Sequence, residues 1–148
     1  MASSSLAHSP AQIISQLLVE LGLAAAPTAT ATWPVYVSNE PTAPDNVVTV
    51  YDTQGKDGGR AMFTGELLGF SGFQIRIRAK DHPTGWVKAD TIQTTLAQEV
   101  SLDTVHVEDT DYLVHAVSNI GDVLSLGKDP NSNRRLFTIN AIAAIRQL

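Results

Sequence analysis

The segment His106-Val-Glu-Asp-Thr-Asp-Tyr-Leu-Val-His115 brings carboxylate oxygens and imidazole nitrogens together over a short stretch, the ligand types that hold divalent cations. It lacks the sixth-position glycine and distal glutamate of an EF-hand loop, and it contains no HExxH pattern. A hairpin turning at Asp109 to Asp111 would simply place Glu108, Asp109 and Asp111 on a solvated tip, and the spacing favours that reading. Nucleophilic catalysis needs serine or cysteine held against histidine with an orienting carboxylate. The chain has no cysteine, and Ser71 in Gly69-Phe-Ser-Gly72 is one residue short of a nucleophile elbow. It also precedes strand-like sequence where the elbow requires a helix, so it reads as a turn serine. Gly55-Lys-Asp-Gly-Gly59 looks like a phosphate cradle but lacks the lysine and hydroxyl spacing of a P-loop. No catalytic residue, cofactor or metal site is expected.

Arg76 and Arg78 carry more information. They project from one face of the alternating run Phe73-Gln-Ile-Arg-Ile-Arg-Ala79, roughly 6.6 Å apart along a strand. Such a pair is either an ordinary solvated face or a subunit interface, since arginine is enriched at interfaces and binds carboxylates bidentately. Glu66, Asp103, Glu108, Asp109 and Asp111 are candidate partners on a neighbouring copy.

The elements that would position these residues follow the hydrophobic periods. Ser9-Pro10 is a helix start, followed by a helical stripe at Ile13, Ile14, Leu17, Leu18 and Leu21, with Gly22 as the stop. Ala24 to Thr32 reads as a linker within the domain. Trp33-Pro-Val-Tyr-Val begins extended structure, because a residue before proline is pushed towards the β region. Asn39 to Asn46, with Pro41 and Pro44, reads as an exposed loop. Val47 to Tyr51 gives a strand ended by Asp52 and the glycine-rich run, so 55–60 is expected to be a second exposed loop. A short strand over Met62 to Leu68 and a turn at Gly69 to Gly72 lead into the Phe73 to Ala79 strand.

After Asp81-His82-Pro83 a helix is expected to bury Trp86, Ala89, Ile92, Leu96 and Val100. The remainder reads as strands at Thr104 to Val107, Tyr112 to Ser118 and Arg134 to Arg146, with a turn-rich loop over Asp122 to Asn133. The last strand is apolar on both pleat faces, the pattern of a central strand covered on both sides. Runs of strands with segregated helices indicate an α+β fold with two main helices, in a single domain spanning 1–148. Residues 1–8 are expected to be a flexible N-terminus.

A chain of 148 residues can bury about 68–70% of its unfolded surface in one core. Its net charge of −5 disfavours tight nucleic-acid binding, though not a protein that lets DNA pass. No apolar run is long enough to cross a bilayer, and the first residues lack the basic segment of a secretory signal, which favours a soluble intracellular protein with no membrane partner.

Several stretches, taken in order, resemble the tail terminator (tail completion, minor capsid) family of long-tailed bacteriophages. They are Trp33-Pro-Val-Tyr-Val, Pro44-Asp-Asn-Val-Val-Thr-Val-Tyr-Asp-Thr53, the run to Gly59-Arg-Ala-Met, Gly72 to Ala79, and Asn133-Arg-Arg-Leu-Phe-Thr-Ile-Asn140. The resemblance implies an α+β fold with a mixed, mainly antiparallel β-sheet, in a non-enzymatic virion protein that forms a ring of usually six copies. Such a ring caps the tail tube after its length is set and joins it to the head connector. The implied partners are copies of itself, the tail tube protein and the connector protein, with genomic DNA crossing the lumen unbound. The implied location is the head-proximal end of the tail, after assembly in the host cytoplasm. Arg76 and Arg78 against Glu108, Asp109 and Asp111 are the candidate seam, and Asn39, Pro41, Pro44, Lys56 and Arg60 the candidate docking loops. A head-completion adaptor of the same virion, and a small ligand-binding or hydrolase domain, are the alternatives.

Overall fold

The computed structural model describes residues 6–28, 30–60, 67–118, 120–130 and 132–148. The first helix, α1, spans Pro10–Glu20. Ser9 caps it from an extended backbone, accepting from the Gln12 amide, while the Gln12 side chain accepts from the Ser9 amide. This reciprocal box satisfies two amides that a helix end otherwise leaves open. The Asp52 carboxylate takes a third, from Ala11, at 2.8 Å. Asp52, read from sequence as a strand terminator, therefore anchors a helix to the sheet.

The strands are β1 (Val35–Val37), β2 (Val47–Arg60), β3 (Leu67–Ala79), β4 (Asp103–Val107), β5 (Thr110–Ser118), β6 (Leu124–Lys128) and β7 (Arg135–Gln147). The second helix, α2, spans His82–Gln98 between β3 and β4. The sheet order is β1-β2-β3-β7-β5-β4, with β6 also pairing β7. Only β1 and β2 run parallel; the other described pairs are antiparallel. The fold is α+β in one domain, as the periodicities predict, with the mixed, mostly antiparallel sheet that the resemblance implies.

Helix α1 touches β4 at one end of the strand order and β1 at the other, so the sheet curls around it. Its buried residues Ala11, Ile13, Ile14, Leu17 and Leu18 meet Val48, Val50, Phe73, Ile75 and Val105 in one core. Helix α2 lies against β7, β3 and β5. The alternation at Phe73 to Ala79 does what its period requires: Phe73, Ile75, Ile77 and Ala79 are fully buried under the helices.

Four expectations are corrected. The run 55–60 is strand, not loop: β2 continues to Arg60, paired with β3 through a register shift between Thr53 and Lys56. The turn expected at Gly69 to Gly72 is likewise inside β3. Gly72 and Gly55 serve close strand approach rather than a turn. A Cβ on Gly55 would lie 2.1 Å from the Phe70 carbonyl oxygen, and one on Gly72 2.4 Å from that of Gln54. The short strand expected over Met62 to Leu68 falls mostly outside the described residues. Third, the Asp122 to Asn133 segment contains β6, whose residues are all exposed.

Fourth, Trp86 is not a core anchor but 44% exposed. The face of α2 that meets the sheet begins at Gly85, where a Cβ would lie 2.4 Å from the Phe137 ring. The helix sits too close there for an indole, and the next residue points outward. Of the N-terminal segment, residues 1–5 lie outside the described residues, while Ala7 and His8 are tied to β7 and β5. The Ala7 amide donates to Gln147 Oε1, and the His8 amide to the Tyr112 hydroxyl, both at 2.9 Å.

Candidate functional site

The arginine face of β3 is closed from within the chain. Arg78 is 3% exposed, its stem flanked in register by buried Val47 and Leu136. Its guanidinium donates to the Pro44 carbonyl at 2.6 Å and to the Asp45 carbonyl at 3.3 Å. The Asp45 side chain accepts from Arg134 at 2.9 Å, and Asn46 accepts from the Lys80 amide. The segment 39–46 thus forms a strap laid over the sheet and held by two arginines. Burial, with Arg134 nearby, pushes the Arg78 pKa below its ordinary value; a guanidinium still stays charged at any working pH.

Arg76 lies under the other end of the strap, 3.4 Å from the Glu40 carboxylate through Nε. That distance is an ion pair without hydrogen-bond geometry. Glu40 Oε1, Arg76 Nε and the hydroxyl of buried Thr49 beside them have no hydrogen-bond partner in the chain. Charge alone therefore holds the Glu40 end, whereas hydrogen bonds hold the Pro44 end. Burial and the Glu40 charge together raise the pKa of Tyr51 on the same face. The carboxylates expected opposite Arg76 and Arg78 on a neighbouring copy are replaced by groups of the same chain.

The acidic hairpin exists, but it turns earlier than the expected Asp109 to Asp111, and Asp111 is already within β5. Val107 pairs with Thr110, so Glu108 and Asp109 form the turn between β4 and β5, with Glu108 at φ +52°. Asp111 is drawn aside, its carboxylate 2.6 Å from His106 Nδ1. Glu108 lies 3.3 Å from His8 Nε2. The Tyr112 hydroxyl accepts the His8 amide at 2.9 Å and lies 2.6 Å from His8 Nδ1, so both ring nitrogens of His8 have a partner. The chain Tyr112–His8–Glu108 pins the lead-in of α1 to the turn.

The hydrogen bond that His106 donates to Asp111, with the carboxylate's charge, raises the His106 pKa above the ordinary 6.5. This group is protonated more readily folded than unfolded, so its contribution is complete below about pH 6.5 and is lost as pH rises through the higher folded value. Thermal melts from pH 6 to 9 should show a small decline that Asp111→Asn removes.

The structure also shows a surface that no sequence pattern singled out. Trp33, Pro83, Thr84, Val87, Lys88 and Thr91 line a shallow groove of about 510 Å³ where α2 begins. Trp33 is held at φ +54°, a strained conformation for a bulky residue. The Lys88 ammonium lies 5.4 Å from the centre of its indole. Burial lowers the Lys88 pKa. Among the described residues no carboxylate pairs with it. Finally, β3 pairs with β7 only from Ser71 onward, so among the described residues Lys56 to Arg60 and Leu67 to Phe70 pair with each other alone, a two-stranded ribbon beyond the sheet. Of the residues expected to dock partners, Lys56 and Arg60 are therefore on this ribbon, and Asn39, Pro41 and Pro44 are in the strap.

These features describe an α+β domain that presents a ribbon, an acidic turn and a basic groove at its surface. The bacteriophage tail terminator protein family matches residues 13–147, nearly the whole chain, and the chain belongs to that family. It is therefore a structural component of the bacteriophage tail. Among solved structures, a chain of the virion of a native gene transfer agent (GTA) particle is similar at 11% identity. The match covers 77% of this chain and 78% of that one, with a TM-score of 0.49. No curated protein matches.

Proposed function

We propose that this chain closes into a ring, of six copies, that caps the tail tube at its head-proximal end. The ring stops tube growth and joins the tail to the head connector. The observation that carries this reading is membership of the tail terminator family over 13–147. A cyclic ring requires two different, complementary patches per subunit, because its contacts are head-to-tail. The ribbon of β2 and β3 is the element that reaches the tube. Two strands alone are marginally stable in water, and a third neighbour on the tube would complete their pairing. Lys56 and Arg60, within the β2 strand of the ribbon, are the docking residues proposed there. The Asn39 and Pro41 end of the strap, less firmly held than the Pro44 end, is available to the connector side. The net charge of −5 suits a lumen that DNA crosses without adhering.

Adding the protein to growing tail tubes tests this reading. Tubes should stop lengthening, with the protein retained at one end; unchanged tube lengths at saturating protein would refute it.

A further inference from the structure

The groove at the start of α2 and the acidic turn lie at opposite ends of the sheet. Ala79, the residue that leads into α2, pairs with Arg135 at the start of β7. In the same layer Arg78 pairs with Val47, and Val35 with Val48, which brings Trp33 to that end. At the other end of β7, Gln147 pairs with Tyr112, next to the Glu108-Asp109 turn. Along the 13 residues of β7 the two ends are separated by roughly 40 Å. One chain therefore cannot bring its own turn to its own groove.

Each patch is incomplete in the way the other completes. The groove offers apolar walls from Trp33, Pro83 and Val87, the last 63% exposed, around a half-buried ammonium without an acid. A lysine so placed loses hydration without gaining a counter-charge, a debt that a carboxylate from outside would offset. The turn offers an exposed Asp109, with Glu108 beside it held by His8 through one oxygen. Arg78 does not compete for the turn, because the strap carbonyls already occupy it, and Arg76 already faces the Glu40 carboxylate of its own chain.

We propose that the acidic turn of one copy, Glu108-Asp109, docks in the Trp33/Lys88 groove of the next, with Asp109 on the Lys88 ammonium. This contact is heterologous, so repeating it generates a ring if the rotation closes. The proposal rests on the ring reading above and gives the seam its residues.

The full-length chain can be tested by charge exchange and by cross-linking. Lys88→Glu and Asp109→Lys should each raise the concentration for half-maximal assembly on tube ends by about tenfold or more, since like charges would then meet at every seam. The combined variant, which restores an opposite-charge pair across each seam, should return to within about threefold of wild type. Each variant's melting temperature, compared with wild type, separates a lost seam from a lost fold. The chain has no cysteine, so the pair Thr91→Cys with Glu108→Cys reports the seam without background. Oxidation should give a ladder of dimers and higher species.

Single charge variants that assemble like wild type would overturn the seam, as would a wild type that assembles while the cysteine pair gives no ladder. Cross-links to tube protein in place of a second copy would overturn it in favour of a tube partner. A ladder without tube capping would keep the seam and remove the terminator reading. A wild type that neither assembles nor forms a ladder would remove both.

Discussion

Gly85→Ala should destabilise the protein by about 2 kcal/mol, although alanine in an open helix interior would stabilise it by about 1 kcal/mol. The sign decides between propensity and packing. A Cβ at Gly85 would lie 2.4 Å from Phe137 Cε2 and 2.9 Å from the Ala79 Cβ, so α2 must move off β7 or the ring must turn. Phe137 cannot turn freely, because it is fully buried and its ring meets His82 at 5.3 Å between centroids. The clash has one main source, so Phe137→Leu should relieve it. Each change alone costs stability, but Gly85→Ala in the Phe137→Leu background should cost at least about 1 kcal/mol less than in the wild type. Equal costs in both backgrounds, measured by chemical denaturation, would show that the close approach does not exist.

The second large effect is at Arg78. Arg78→Met keeps the apolar stem between Val47 and Leu136 but removes both hydrogen bonds to the strap. Hydrogen bonds to a charged group contribute about 1.5–3 kcal/mol each, and the strap carbonyls can turn to water once released, so the net loss should be about 2–3 kcal/mol. That corresponds to a fall in melting temperature of roughly 5–10 °C. Hydrogen exchange should accelerate at 39–46 before the rest of the chain. Arg76→Met should cost under about 1 kcal/mol, because its pair with Glu40 is partly solvated and lacks hydrogen-bond geometry. Equal losses at the two arginines would contradict a strap held mainly by Arg78.

How far the sequence predicts this structure varies with the kind of signal. Helical and alternating periods depend on which residues face the core, and they placed α1, α2 and the Phe73 to Ala79 part of β3. Glycine was the least faithful guide. Gly55 and Gly72 read as loop and turn because glycine usually punctuates chains, yet here they let two strands approach where a side chain would not fit. Trp86 was misplaced because the helical stripe is equally regular one residue away, and only the Phe137 contact shows that Gly85 holds the core position. The strand β6 was hidden because Leu124 and Leu126 alternate within a turn-rich segment and both remain exposed.

The candidate seam was half legible. The acidic turn could be read from its composition and hairpin spacing. The partner assigned to it, Arg76 and Arg78, could not be corrected from sequence, because the covering strap lies some thirty residues upstream and offers backbone carbonyls, which carry no sequence signature. The Trp33/Lys88 groove joins residues far apart in the chain, one of them with a positive φ, and no local pattern announces it.

Electron cryomicroscopy of tail tubes incubated with this protein tests the central claim most directly. A single closed ring of copies, seated at one end of each tube, is the predicted result. Protein scattered along the tube wall, or tube ends left bare at saturating concentration, would contradict it.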